Sequence, residues 1–135
     1  MGARRALHSL TICVVGLTLA GCGAHDADGA ADAAEQLYTA AKGGDGAAAC
    51  EWLSADTREQ LEQDEQKPCL EAIVALELSG SRSTKTSAYI TEAKVDLDGG
   101  DSVFLEETPS GWRVTAAGCK PVPDQEAPYE CEVES

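Results

Sequence analysis

The hydrophobic pattern of the chain changes its period once, close to Thr84. Before this position, apolar residues recur every three or four positions over 28–42 and again over 68–78, which is typical of one face of a helix. After it, apolar and polar residues alternate over 93–97 and 112–116, which is typical of strands with one buried face. This order predicts an α+β domain in which N-terminal helices pack on an antiparallel sheet of three to four strands.

Capping residues divide the helical half of the chain. Gly43 and Gly44 end the first predicted helix, because glycine adopts the left-handed conformation at a helix C-terminus. The side chains of Asp and Ser can accept hydrogen bonds from the first turn of a helix. Asp45 and Ser54 are therefore each expected to begin a new helix. Leu61 is the only large apolar residue over 57–66, which predicts a solvent-exposed helix or loop there.

The first 21 residues have the pattern of an export signal. Arg4 and Arg5 precede an apolar run over 10–20, and this run is too short to span a bilayer as a helix. The run ends in Leu19-Ala20-Gly21-Cys22, which resembles the lipobox of bacterial lipoproteins. The resemblance implies that the thiol of Cys22 is acylated and that the chain is cut just before it. A plain signal peptide with an incidental cysteine is the alternative.

Lipidation at Cys22 implies a protein anchored on the extracytoplasmic side of the cell membrane, without a transmembrane helix. Two or three acyl chains give stable anchoring, whereas a single chain is marginal. The small and polar residues over 22–30 predict a flexible tether between the lipid and the domain. The range 31–135 is expected to form a single domain that ends in a Pro-rich tail.

The chain is strongly acidic, since 24 Asp and Glu residues against 10 Lys and Arg residues give a net charge of −14. Nucleic-acid binding requires clustered Lys and Arg that replace counterions, so the composition excludes this class of function. Adhesion to anionic lipid through a basic patch is excluded for the same reason. The charge instead favours a cationic partner or an electropositive domain of a membrane protein.

Four of the six cysteines remain in the domain when the signal and the lipidated Cys22 are set aside. They are Cys50, Cys69, Cys119 and Cys131. An exported chain with an even set is expected to form disulfides, and four cysteines allow three pairings. We predict the sequence-local pairs, Cys50–Cys69 between neighbouring helices and Cys119–Cys131 at the Pro-rich tail. A zinc site is disfavoured, because no C-x-x-C motif is present and no His lies near these four cysteines; no metal or cofactor is predicted.

The segment 96–101 resembles the start of a calcium-binding loop, with Glu107 at the twelfth position. Gly100 replaces the expected oxygen ligand at the fifth position, and Asp101 replaces the glycine that the sixth position needs for a sharp bend. Alternating hydrophobic runs flank the segment on both sides. The pattern therefore predicts a β-hairpin turn.

Short motifs spread over about 31–133 resemble those of small actinobacterial surface lipoproteins. These motifs are Gln36-Leu37-Tyr38, Gly44-Asp45-Gly46, Ala49-Cys50 with Leu53, Pro68-Cys69, Gly111-Trp112-Arg113-Val114, Ala117-Gly118-Cys119 and Pro128-Tyr129-Glu130-Cys131. The domain of those lipoproteins is similar to the nuclear-transport-factor-2-like (NTF2-like) cone. The resemblance implies helices packed on a curved antiparallel sheet.

Three classes of function remain open on this evidence. The first is a tethered, non-catalytic module that binds a small molecule or a protein in a pocket lined by Tyr38, Trp52 and Trp112; burial of all three in the core is the alternative for these residues. The second is a structural or regulatory accessory of a membrane protein, without a small ligand. The third is an isomerase-like enzyme of the cone fold, which would use an Asp, Tyr or His in a pocket as acid or base.

The enzyme hypothesis has the weakest basis in the sequence, and no catalytic residue is predicted. The only His after the signal is His25 in the predicted tether, and no Ser occurs in a nucleophile motif. Glu35 and Glu77 fall on predicted helix faces, where carboxylates are usually solvated.

Overall fold

Helices occupy the first part of the chain and strands the second in the computed structural model, which describes residues 23–124 and 128–135. The α+β class predicted from the change of period is therefore confirmed. The predicted signal over 1–21 and the predicted lipidation site Cys22 lie outside the described residues.

Within the described ranges, no helix combines the length and the apolar character that a membrane span requires.

The helical part contains one long helix and several short ones. These are α1 (Gly23–Lys42), α2 (Gly46–Glu51), α3 (Ala55–Glu65) and α4 (Cys69–Ala72), and a 3-10 turn, Ile73–Ala75, continues α4. The flexible tether predicted over 22–30 must be corrected, because α1 begins at Gly23 and Ala30 is fully buried. The small residues that suggested a tether instead allow close packing. Gly29 lies so near Trp112 that a Cβ atom there would come 3.1 Å from the indole ring.

The predicted helix caps are present. The Asp45 side chain accepts a hydrogen bond from the backbone N–H of Ala48, and the Ser54 hydroxyl accepts one from Thr57. The helix predicted over 68–78 is shorter than expected, since the chain becomes extended at Leu76. The extended backbone frees the N–H of Ser79 to donate to Asp101, a bond that a continued helix would not allow.

The sheet contains six antiparallel strands rather than the predicted three to four. They are β1 (Ser83–Ala88), β2 (Glu92–Leu97), β3 (Ser102–Thr108), β4 (Gly111–Pro121), β5 (Tyr129–Glu130) and β6 (Val133–Glu134). The first four form the expected meander, and the two-residue strands β5 and β6 both pair with β4. The tail strands are too short to show an alternating pattern, and the prediction missed them for that reason.

The core lies between α1 and one face of the sheet. Strand residues that alternate along β2, β3 and β4 point to this face, and α1 covers them with small residues that allow its close approach. The buried side chains of this layer include Leu37, Tyr38, Val95, Val103, Leu105, Trp112 and Val114, with Ala30, Ala33 and Ala34 on the helix. The alternation predicted for β2 and β4 is therefore confirmed.

Both predicted disulfides are present. Cys50–Cys69 joins α2 to α4 across 19 residues, and Cys119–Cys131 joins β4 to the tail across 12 residues. Closing loops of this size stabilises the folded state by about 3 kcal/mol each in the chain-entropy model. The second bond holds the tail beside the outer face of the sheet, where the Tyr129 ring contacts Phe104 edge-on at a centroid distance of 5.1 Å.

The calcium-like segment forms the predicted turn, between β2 and β3. Gly100 donates a backbone hydrogen bond to Leu97 and has a φ of +92°, which favours glycine. The Asp98 carboxylate accepts hydrogen bonds from the backbone N–H groups of Ser81 and Arg82, and these bonds hold its pKa below the ordinary value. The carboxylates of this segment thus accept hydrogen bonds from groups of the protein itself.

A carboxylate of α1 also fixes the start of the sheet. Both the backbone N–H and the hydroxyl of Ser83 donate to Glu35 Oε1, each at 2.7 Å. The bond from the hydroxyl and then that from the N–H lower the pKa of Glu35 below its ordinary 4.5, because both stabilise the ionised form.

Glu35 should therefore make the stability of the fold depend on pH. Its pKa is lower in the folded chain than in the unfolded chain, so its stabilising contribution is complete above pH 4.5 and is lost as the pH falls through the folded-state pKa. We expect urea unfolding midpoints of the wild type to fall more steeply than those of Glu35→Gln between about pH 5 and pH 3. Glu77→Gln, at an exposed site, serves as the control and should follow the wild type. If the unfolding midpoints of Glu35→Gln and the wild type change in parallel with pH, Glu35 is not the source of the pH dependence.

The start of α2 packs against the backbone of α4 with no space for a side chain. A Cβ atom at Gly46 would overlap the carbonyl group of Leu70. Gly46→Ala should therefore destabilise the domain by about 1–3 kcal/mol, because the two helices must move apart. Urea unfolding with the disulfides intact measures this effect. Ala47→Ser, at the exposed neighbouring position, should change the stability by less than about 0.5 kcal/mol. An unchanged midpoint for Gly46→Ala would show that the helices pack differently.

Candidate functional site

The hydroxyl group of Tyr38 lies inside the core and is fully hydrogen bonded. It donates to Asp101 Oδ2 at 3.1 Å and accepts from the backbone N–H of Gly118 at 2.9 Å. Burial raises the pKa of Tyr38 far above its ordinary value; the Gly118 N–H opposes this shift, and the charge of Asp101 adds to it. Tyr38 is therefore a neutral phenol at physiological pH, where it acts as a hydrogen-bond donor.

Asp101 is a buried acid that the sequence did not indicate. Only 1% of the surface of Asp101 is exposed, and its Oδ2 also accepts a hydrogen bond from the backbone N–H of Ser79 at 2.8 Å. Its Oδ1 has no partner among the described residues. Tyr38 and Asp101 are 63 positions apart, so no local spacing could have connected them.

The three aromatic residues predicted to line a pocket do not share one. Tyr38 and Trp112 are buried in the core, and none of the main recesses formed by the described residues is lined by either of them. Trp52 is half-buried and borders a small recess together with Glu51, Ser110 and Arg113. The side chains between α1 and the sheet thus occupy the interior in which an NTF2-like pocket would be expected.

A spacious recess of the described residues lies on the outside of the domain. It has a volume of ≈ 820 Å³ and is bordered by the end of α2, the first half of α3 and the turn between β3 and β4. We call it the acidic recess, because four carboxylates and two guanidinium groups line it. These are Glu51, Glu59, Glu62 and Glu106, with Arg58 and Arg113.

Backbone hydrogen bonds hold the α2–α3 junction against β4 and thereby form the wall of the acidic recess. The N–H of Ser54 donates to the carbonyl of Val114 at 2.9 Å, and the N–H of Val114 donates to the carbonyl of Trp52 at 2.8 Å. The Thr57 hydroxyl extends this seam by donating to the carbonyl of Thr115 at 3.0 Å. The free edge of β4 is thus occupied by the chain that leads into α3, which places α3 beside the β3–β4 turn.

The acidic recess has a surplus of negative charge. Arg58 lies 3.7 Å from Glu62, but both side chains are well exposed, so this pair contributes little to stability. The Arg113 guanidinium donates to the carbonyl of Trp112. Among the described residues, Glu51, Glu59 and Glu106 form no ion pair. The recess is therefore suited to a ligand that brings positive charge.

Neither a metal centre nor a known relative helps to interpret this surface. The described residues contain no group of three or more His, Cys, Asp and Glu side chains placed to hold a metal ion. Comparisons with family models, curated proteins and solved structures find no match to this chain.

The Tyr38 hydroxyl should contribute measurably to stability. Tyr38→Phe removes a donor to Asp101 and an acceptor for Gly118 inside the core, so we expect a loss of about 1–3 kcal/mol in the free energy of unfolding. Equilibrium urea unfolding is the measurement. Tyr89→Phe is the matched control, because Tyr89 is 70% exposed. Equal stability of Tyr38→Phe and the wild type would show that the hydroxyl is dispensable.

Proposed function

We propose that the protein is a lipid-anchored, extracytoplasmic interaction module without catalytic activity, and that it binds an electropositive partner protein at the acidic recess. The segment Leu19-Ala20-Gly21-Cys22 after a short apolar run supports the anchor at Cys22. The two disulfides fit an exported domain, since such bonds persist in oxidising compartments.

The observation that carries the proposal is the charge of the acidic recess. Three of its four carboxylates form no ion pair within the described residues, and the recess is open to solvent. An exposed surplus of negative charge accelerates encounter with an electropositive surface and disfavours wrong partners. The overall net charge of −14 acts in the same direction.

A protein partner fits this domain better than a small molecule. Small-ligand sites are usually concave, apolar and enclosed, whereas the acidic recess is open and charged. The interior that could have enclosed a small ligand holds Tyr38 and Trp112 as core residues. The proposed role is therefore that of an accessory to a membrane protein in the membrane that holds the anchor.

The filled interior also supports the absence of catalysis. An acid or base must reach the reacting atoms of a substrate, whereas Tyr38 and Asp101 bond to each other inside the core. We further propose that the domain is a reduced relative of the NTF2-like cone. The order of α1 followed by the meander β1–β4 supports this relation, and the few, small elements around α1 distinguish it from a full cone.

The test combines fractionation with charge reversal in the native cell. Wild-type protein should be found in the membrane fraction, and Cys22→Ala should be released or remain unprocessed. A reversible crosslinker should capture a membrane protein with the wild type, and the double variant Glu59→Lys with Glu106→Lys should reduce this capture about tenfold.

The control carries the same change of net charge outside the recess, as Glu65→Lys with Glu77→Lys. It should capture the partner as the wild type does. Equal capture by both double variants would exclude the acidic recess as the binding surface. Membrane fractionation of Cys22→Ala at the processed size would exclude lipidation.

A further inference from the structure

The turn between β1 and β2 exposes two large apolar side chains side by side. Tyr89 is 70% and Ile90 is 91% exposed, and Ile90 is the most exposed large apolar residue among those described. The turn is tight, because the N–H of Tyr89 donates to the carbonyl of Glu92 at 2.7 Å. The backbone therefore holds both side chains away from the domain. The two side chains are thus available for contact with an apolar phase or a partner.

The direction of α1 shows where this tip lies. Glu35 contacts Ser83 at the beginning of β1, and the Lys42 ammonium donates to the carbonyl of Gly80, just before that strand. β1 then runs from Ser83 towards the tip, so the C-terminal half of α1 lies at the opposite end of the domain.

The N-terminal part of α1 lies at the same end as the tip. Gly29 contacts the ring of Trp112, and Trp112 pairs with Glu107 on β3. The N–H of Glu107 donates to the carbonyl of Thr91, the residue after Ile90. From Gly29, α1 extends back through Gly23, about 9 Å further along its axis at 1.5 Å per residue.

We propose that Tyr89 and Ile90 form a second membrane contact, in which they enter the interfacial region of the bilayer that holds the lipid of Cys22. The inference rests on the lipid anchor of the proposed function. Cys22 directly precedes the first residue of α1, so a lipid on its thiol would bring this end of the domain to the bilayer surface. Tyr prefers the level of the lipid headgroups, and an aliphatic side chain such as Ile inserts at the boundary with the acyl chains.

The charge of the domain determines the kind of lipid contact. The full sequence has a net charge of −14, and every Asp and Glu lies after the predicted signal, so an anionic surface repels the domain and the contact must be apolar. It should therefore form on uncharged phosphatidylcholine and change little with ionic strength. A basic patch would show the opposite dependence.

The experiment places a tryptophan at the tip and measures its quenching by lipid. Lipidated mature Ile90→Trp, which begins at Cys22, is reconstituted in phosphatidylcholine vesicles with or without bromine on the acyl chains, and the signal of the wild type with Trp52 and Trp112 is subtracted. Bromine quenches only a tryptophan that reaches the bilayer. We expect the emission of the added tryptophan to fall about twofold in brominated vesicles.

The matched control is Leu70→Trp. Leu70 is also an exposed apolar residue, at 52%, but its backbone lies against Gly46, just beyond the C-terminal end of α1. Its tryptophan should stay unquenched in vesicles that carry the protein.

Each outcome decides between the two proposals. Quenching at position 90 alone supports the second contact. If both variants float with the vesicles and neither is quenched, or both are quenched equally, the tip contact is wrong while the anchor stands. If neither variant floats with the vesicles, lipidation itself fails, and the inference fails with it.

Discussion

The hydroxyl group of Tyr38 is the point at which separate parts of the chain meet. Through it, α1 is bonded to β4 at Gly118 and to Asp101 in the β2–β3 turn, and Asp101 in turn binds the N–H of Ser79 in the connection from the helices to the sheet. The core is built mainly from Ala, Val and Leu, and side chains that are so alike in shape do little to specify one arrangement of helix and sheet. The buried hydrogen bonds supply that specificity, because any other register of α1 would remove the phenol donor of Asp101 and leave the N–H of Gly118 without a partner.

The parts of the fold that depend on neighbouring residues were predictable from the sequence. The change of period indicated the helix and strand regions, Asp45 and Ser54 indicated two helix starts, and the short spacing between cysteines indicated both disulfides. The interaction of Tyr38 with Asp101 could not be predicted, because it joins distant positions and Asp101 resembles an ordinary turn acid. The supposed tether at 22–30 failed for a different reason: small residues allow both flexibility and close helix packing.

The acidic recess was even less accessible to sequence reasoning. Its carboxylates come from α2, α3 and β3, and they share a surface only because the Ser54 and Val114 backbones are hydrogen bonded. On the sequence, Glu59 and Glu62 are two charges on a polar helix, which indicates only contact with water. Trp52, one of the predicted pocket residues, does lie beside this surface, whereas Tyr38 and Trp112 serve the core.

The position at which α1 begins has a consequence for the distance over which the protein can act. α1 begins at Gly23, directly after the cysteine of the proposed anchor, and it is part of the core from Ala30 onwards. Under the proposed anchor, only about 10 Å of helix would separate the lipid from the core, and a helix, unlike a flexible chain, does not extend when it is pulled. The domain would then be confined to a thin layer above the bilayer, where binding partners in the same membrane are met at high effective concentration and distant ones are not met at all.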